Sequence, residues 1–249
     1  MTWISTSLAL GIGGFLWWWL SRRPRSGINT TSNWFPLVLT IGVICRLAYL
    51  FLTPTFYAPD EQAHFNYIKF VTEHGEFPIL TTKLGDSANE WEYFQPPLYY
   101  LVLTPFYLFT KTVGMNLLSQ VWLLRSFSFL LWLLNLWFGI GLLHRLQIKD
   151  RLVRTFALTL FCLLPTYTFS SITINNDNLL VTMSTGLLYL LAGRQYDWKA
   201  ALQIGLLLGL GLLTKTSAIT FAPVVIGLVV LEAQRRIFWQ DTYFFQRCY

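Results

Sequence analysis

A short polar segment, residues 59–64, is the first place where side chains of the right type could do chemistry. Asp60 and Glu61 are adjacent carboxylates, and His64 follows Asp60 by four residues, which puts Asp60 and His64 on one face of a helix. Such a group can supply a general base or hold a divalent cation at Asp60, Glu61 and His64. The same residues also suit an ordinary helix start, because Pro and acidic residues favour the first turn.

A second segment, residues 93–100, combines Gln95 with two prolines and four aromatic residues. The prolines would fix the geometry with which the chain enters the next apolar run. Aromatic rings at such a position suit either a sugar-binding face or the membrane interface, where amphipathic rings collect. The interface with a proline-initiated helix is the simpler of these two interpretations.

Polar residues also occur within or between the apolar runs. Arg46, Arg125 and Lys215 are cations at positions where a charge is costly unless it faces a protein interior or a wet cavity. Binding an anionic headgroup or a phosphate suits them, and snorkelling to the interface is the alternative. Asn176 and Asp177 lie between two apolar runs, where a tight turn would explain them equally well.

Apolar helices must position all of these residues. The 249 residues are 54% hydrophobic, 17% aromatic and only 12% charged, too few charges to cover a water-facing surface. We therefore predict an all-α fold: one polytopic transmembrane helical bundle over residues 1–249. It has about seven to eight apolar segments, drawn from the runs 5–20, 34–53, 97–111, 121–143, 155–172, 178–193, 200–214 and 217–232.

The charges predict the orientation of this bundle. Residues 55–96 carry seven of the twelve acidic residues and form a large external loop, in which a stripe at Phe65, Ile68 and Val71 predicts a helix on the membrane surface. Basic clusters alternate with it and mark the cytoplasmic side; they do not suggest nucleic-acid binding. Because residue 96 is then outside and the basic cluster at 144–154 inside, the chain must cross the membrane an odd number of times between them. Either residues 97–111 enter the membrane without crossing it, or residues 112–143 form two passes. The first run is an anchor with its N-terminus outside.

The order of these segments resembles the GT-C membrane glycosyltransferases, of the protein mannosyltransferase and aminoarabinose transferase type. The similarity covers residues 34 to about 232 and rests on five segments in order: Arg46 with Pro59-Asp60-Glu61 and His64, Gln95-Pro96-Pro97-Leu98-Tyr99-Tyr100, Arg125-Ser126, Asn176-Asp177, and Gly211-Leu212-Leu213-Thr214-Lys215. Family members usually carry more spans and often an external C-terminal domain, so we expect a truncated or N-terminal portion.

The resemblance implies an enzyme of the plasma (inner) membrane that transfers a sugar from a polyprenyl-phosphate donor on the outer face. It implies Asp60, or its neighbour Glu61, as the base on an acceptor hydroxyl or amine. Substrate-binding residues would be Arg46, His64, Gln95, Arg125, Asn176, Asp177 and Lys215, the cations near the donor phosphate. Two alternatives stay open: a transporter or flippase for a lipid-linked or anionic substrate, and a non-catalytic membrane remnant.

Overall fold

A computed structural model describes residues 34–80, 91–193 and 197–230, and within these ranges the chain is helical and contains no strand. The run 5–20 lies outside the described residues. In chain order the α-helices are α1 (Phe35–Leu52), α2 (Glu61–His74), α3 (Leu98–Thr112), α4 (Leu117–Arg145), α5 (Arg151–Leu163), α6 (Pro165–Ser170), α7 (Asn176–Leu191) and α8 (Trp198–Thr214). Two 3₁₀ turns, Trp91–Phe94 and Thr216–Phe221, complete the list, and residues 222–230 continue as helix.

Two of the described helices are long and apolar enough to span a membrane. The first, α1, has 18 residues with a mean hydropathy of 2.1, and α4 has 29 residues with a mean hydropathy of 1.8. At 1.5 Å per residue α1 is about 27 Å long, close to the hydrocarbon thickness of a bilayer. The all-α prediction is thus confirmed, whereas seven or eight crossings stay a prediction.

Four of these eight helices begin at a side-chain cap that the sequence supplies. Asn116 accepts a hydrogen bond from the Ser119 amide at the start of α4, at 2.9 Å. Asp150 does the same for α5, where its carboxylate accepts from the Leu152 amide at 2.7 Å. Such side chains satisfy amides that have no partner inside the helix. Short polar connections therefore separate helices that would otherwise merge into one apolar stretch.

The structure decides one question of chain path and corrects one apolar run. Because α4 is a single unbroken helix, residues 112–143 do not form two passes. The run 155–172 is not one helix: it divides into α5 and α6 at Leu164, directly before Pro165. Proline has no amide hydrogen and disfavours a helical conformation in the residue before it, which explains the break.

Among the described residues, buried apolar side chains form three clusters, the smallest of which joins α7 to α8. The first joins α2, α3 and α4 and includes Phe65, Ile68 and Val71, the stripe of α2. This corrects the expectation for α2: its apolar stripe packs against protein and is not turned towards a membrane surface. The second cluster joins α1, α4 and α5 around Trp132 and Cys162.

Candidate active site

Asp60 occupies the N-cap position of α2, but it does not act as a cap. Its backbone lies in the left-handed region, with φ of 62°, and its carboxylate makes no capping hydrogen bond. The residue is exposed. A left-handed conformation costs a non-glycine residue roughly 1–2 kcal/mol, although Asp tolerates it better than most. The backbone is therefore strained where it presents this carboxylate to solvent, and the plain helix-cap interpretation does not account for it.

Glu61, the next residue, is fully buried against Arg125. Arg125 donates from Nε to Glu61 Oε1 at 2.8 Å and from Nη2 to Oε2 at 2.7 Å. The same guanidinium donates to three backbone carbonyl oxygens, those of Leu50, Thr53 and Pro54. All five of its N–H groups thus have acceptors, the full number that arginine carries.

Glu61 also ties two distant segments of backbone to this pair. Its Oε2 accepts from the Phe56 amide at 3.1 Å, and its Oε1 accepts from the Ile174 amide at 3.2 Å. Phe56, like Asp60, has a left-handed backbone, with φ of 60°. Neither Glu61 nor Arg125 retains a free group for an acceptor or a phosphate. We therefore reassign both: they position the loop that carries Asp60 and link it to the start of α7.

His64 lies on the buried side of α2. Its Nδ1 is 2.9 Å from the Tyr100 hydroxyl, and its Nε2 is 4.0 Å from Glu92 Oε1. Burial, reinforced by the positive charge of Lys215, lowers the pKa of His64 to about 3. The imidazole is neutral at physiological pH and serves as a hydrogen-bond partner rather than as a cation.

The trio Asp60, Glu61 and His64 does not fit a divalent cation. Both oxygens of Glu61 are taken by Arg125 and by backbone amides, and His64 already pairs with Tyr100. Among the described residues no group of three or more acidic, His or Cys side chains is arranged to hold a metal ion. A metal requirement stays a prediction without geometric support.

Glu92 belongs to this group of residues, and sequence reasoning missed it. It lies in the 3₁₀ turn Trp91–Phe94 and is only 4% exposed, and burial raises the pKa of its carboxyl group. Asp60, Asp177 and Lys215 all lie near enough to influence that pKa. The available signal was one acid enclosed by aromatic residues directly before Gln95.

Two buried acceptors around Glu92 lack a donor. Glu92 Oε2 and Gln95 Oε1 have no hydrogen-bond partner among the described residues, although both side chains are more than nine-tenths buried. The Tyr67 hydroxyl donates to the Gln95 carbonyl oxygen at 3.1 Å, and the Tyr67 ring stacks on Tyr100 at 3.6 Å. Buried acceptors without donors are costly and call for an explanation such as a ligand.

Lys215 contacts the start of α7. Lys215 Nζ lies 2.7 Å from Asp177 Oδ1, in the first turn of that helix. Asn176 is fully buried, and its Nδ2 donates to the Thr214 carbonyl oxygen at 3.3 Å. Glu92 thus has His64 at 4.0 Å and Gln95 as a hydrogen-bonding neighbour. Asp60, Asp177 and Lys215 lie within electrostatic range of Glu92, and Asn176 precedes Asp177 in α7.

Arg46 is the predicted site residue that lies elsewhere. It is fully buried in the second cluster, where its guanidinium lies 3.8 Å above the Trp132 ring. Nε donates to Ser171 Oγ at 2.9 Å, and Nη1 donates to the Cys162 carbonyl oxygen at 2.7 Å. That carbonyl is freed by the break between α5 and α6. Arg46 therefore joins α1 to the α5–α6 break, and a phosphate-binding role for it has no support in this geometry.

No protein-family model, curated protein or solved structure matches this chain. The function is therefore argued from the geometry of the candidate site.

Proposed function

We propose that this chain is a multi-pass integral membrane glycosyltransferase that moves a sugar from a polyprenyl-phosphate donor to an acceptor on the outer face of the plasma (inner) membrane. The observation that carries the proposal is the free, exposed carboxylate of Asp60. A strained backbone holds it, and the buried Glu61–Arg125 pair fixes that backbone. Asp60 and Lys215 both act electrostatically on the buried Glu92, whose Oε2 has no donor among the described residues. Strained residues persist only where the surrounding structure over-determines them, and they cluster at functional sites.

Asp60 is the general base of the proposed reaction. It takes the proton from an acceptor hydroxyl or amine as that atom attacks the anomeric carbon of the sugar. The bond between the anomeric carbon and the phosphate oxygen breaks, and its electron pair leaves with the lipid phosphate. The charge that develops on this leaving group is balanced by Lys215, at the end of α8. Attack opposite the leaving group inverts the anomeric centre.

The sugar is held by the two buried acceptors that lack donors among the described residues. Sugar hydroxyls would supply the donors that Glu92 Oε2 and Gln95 Oε1 lack. Burial raises the pKa of Tyr67 to about 12, so its hydroxyl remains a donor and keeps the Gln95 backbone in place. A ligand with a phosphate at one end and hydroxyls beside it matches this distribution of cation and acceptors better than an apolar or purely anionic ligand.

The proposed topology places this group at the outer end of the bundle. Residues 53–60 follow α1 directly, while α4 runs from the neighbourhood of Glu61 to the basic cluster at Arg145, Lys149 and Arg151. Under the positive-inside rule that cluster is cytoplasmic, which puts Asp60 outside. A carboxylate there lies within reach of both a lipid-borne donor and a water-borne acceptor.

Asp60→Asn is the decisive test. Asn tolerates the left-handed backbone as Asp does but cannot accept a proton, so we expect transfer to fall by roughly 10²–10⁴-fold with unchanged thermal stability. The assay uses purified protein and a panel of radiolabelled polyprenyl-phosphate sugars. Asp60→Glu, which keeps the acid on a longer side chain, should retain more activity than Asp60→Asn. Near-normal turnover by Asp60→Asn would show that the carboxylate is not the base.

A further inference from the structure

Two features that attract anions meet at the start of α7. One is the N-terminus of this 16-residue helix, where backbone amides carry partial positive charge. The other is the ammonium group of Lys215, which extends from the C-terminal end of α8. The anion that lies between them is the chain's own carboxylate, Asp177, whose Oδ1 is 2.7 Å from Lys215 Nζ. This carboxylate occupies the position that an anionic ligand would take.

The backbone on both sides of this ion pair is fixed. Asn176 is fully buried and donates to the Thr214 carbonyl oxygen at 3.3 Å, which ties the first residue of α7 to the last residue of α8. Asn175 caps α7 by accepting from the Asp177 amide at 2.8 Å. The two charged side chains are themselves accessible, 27% exposed for Lys215 and 49% for Asp177. The pair can therefore open without any change in the helices.

Glu92 supplies the second observation that points to a ligand. Its carboxyl group is buried, its Oε2 has no donor among the described residues, and Lys215 and Asp177 both act on its charge. Lys215 bonds to Asp177 and acts on Glu92 only through its charge. A ligand that brought a phosphate to Lys215 and a hydroxyl to Glu92 would satisfy both groups at once.

We propose that Asp177 is a built-in competitor at the phosphate subsite formed by Lys215 and the N-terminus of α7, and that a lipid phosphate binds there by displacing it. This rests on the proposed function and gives Asp177 a regulatory role at the same site. The donor is a phosphodiester with a single negative charge, whereas the product is a phosphomonoester with a charge of about −1.5 to −2 near neutral pH. The product would bind Lys215 more tightly than the donor, and the returning Asp177 carboxylate expels it.

The test measures binding of farnesyl monophosphate, a short product mimic, to the purified 249-residue chain in neutral detergent. Asp177→Asn removes the competing charge and keeps the size of the side chain, so we expect Kd to fall by about fivefold, the scale of an exposed ion pair. In a Lys215→Ala background the same change should give no gain. Farnesol, which lacks the phosphate, should bind all variants alike.

Two controls make the outcome specific. Asp60→Asn also removes one negative charge near the site but does not touch Lys215, so a gain as large as that of Asp177→Asn would reveal a general field effect and overturn the proposal. Asp177→Ser, a second variant, guards against a folding defect in the first. Unchanged or weaker binding in both Asp177 variants would mean that Asp177 only orients Lys215, and the proposal would fall.

A parallel titration with inorganic phosphate separates two sources of the same chemistry. A gain with farnesyl monophosphate alone assigns the subsite to a lipid-borne phosphate, and a gain with both assigns it to the phosphate group whatever carries it. The measurement needs no sugar transfer. If Asp60→Asn proves active, the glycosyltransferase proposal fails, but the binding result for Asp177 can still be interpreted. If Asp60→Asn is inactive, the Asp177 proposal can still be contradicted by the binding assay.

Discussion

Among the described residues two arginines are completely buried, and they are held in opposite ways. Arg125 pairs bidentately with a carboxylate, Glu61, and every one of its N–H groups has an acceptor. Arg46 has no carboxylate partner in the described part of the chain: it donates to a serine hydroxyl and to two carbonyls and lies over the Trp132 ring. One of its nitrogens, Nη2, has no acceptor among the described residues.

The difference shows what a buried charge does in each region. A matched pair such as Glu61–Arg125 adds little net stability, because both ions had to be desolvated, but it specifies geometry strictly. Removing one member leaves the other uncompensated. Arg46 has no ion to leave behind, and an aromatic face compensates its charge in part. Precise positioning is therefore found beside Asp60, and general packing is found around Arg46.

Arg125→Met should have the largest effect. It leaves the Glu61 carboxylate buried without its cation, which typically costs 3–5 kcal/mol of stability. Thermal or denaturant unfolding in detergent measures this. The double variant with Glu61→Gln should be more stable than Arg125→Met alone, since the stranded charge is then gone. If the double variant is the less stable of the two, the pair does not act as a unit and the first half of the comparison fails.

Arg46→Met should be milder, costing about 1–2 kcal/mol, because lost hydrogen bonds to neutral acceptors are offset by removal of a desolvated charge. Arg46→Lys keeps the charge but loses the planar fork and the stack on Trp132, so it should be at least as destabilising as Arg46→Met. The same unfolding assay applies. A loss for Arg46→Met equal to that for Arg125→Met would erase the difference between the two arginines.

His64 sharpens the comparison, because it is a buried base that is kept neutral in contact with Tyr100 and Glu92. Its folded pKa of about 3 lies below the ordinary value of 6.5, so between these limits only the unfolded chain binds the proton. The free energy of unfolding should therefore fall as pH drops below about 6.5, by up to ~1.4 kcal/mol per pH unit, and level off near pH 3. Stability measured from pH 7.5 to 5.5 tests this.

His64→Gln should flatten that dependence, since it removes the group that titrates. Glu92 works in the opposite direction: its raised pKa means that the folded chain takes up a proton first as pH falls. Glu92→Gln should consequently make the loss of stability at low pH steeper. Identical pH profiles for His64→Gln and the unaltered chain would show that His64 is not buried as a neutral base.

Sequence alone was a good guide to helices and a poor one to partners. Apolar runs located α1, α4, α7 and α8 to within a few residues, because length and hydrophobicity are local properties. The break at Pro165 was readable in principle but was missed, since the residues on both sides are apolar. The sequence did not predict what the apolar stripe of α2 packs against. That contact depends on where α3 lies in the fold, and the residue pattern within α2 holds no information about it.

In the candidate site, too, the sequence predicted which residues matter better than it predicted their contacts. Asp60, His64 and Lys215 were singled out by type and position, and the structure does bring them to one group. That Arg125 would be saturated by Glu61 could not be foreseen, because the two residues are 64 positions apart and both looked free. Glu92 was missed because its importance lies in its burial, which the surrounding polar loop concealed.

The left-handed backbone of Asp60 has a consequence for how this position responds to selection. A glycine there would relax the chain by about 1 kcal/mol, since glycine adopts that conformation at no steric cost. At Phe56, which shares the conformation, the same exchange would relieve strain but remove a ring that packs against Phe65. Selection for stability alone would therefore favour glycine at position 60 and keep Phe56. The acid at position 60 is thus retained at a cost in stability. In a library of variants selected for thermostability, Asp60 should be among the first residues to be replaced.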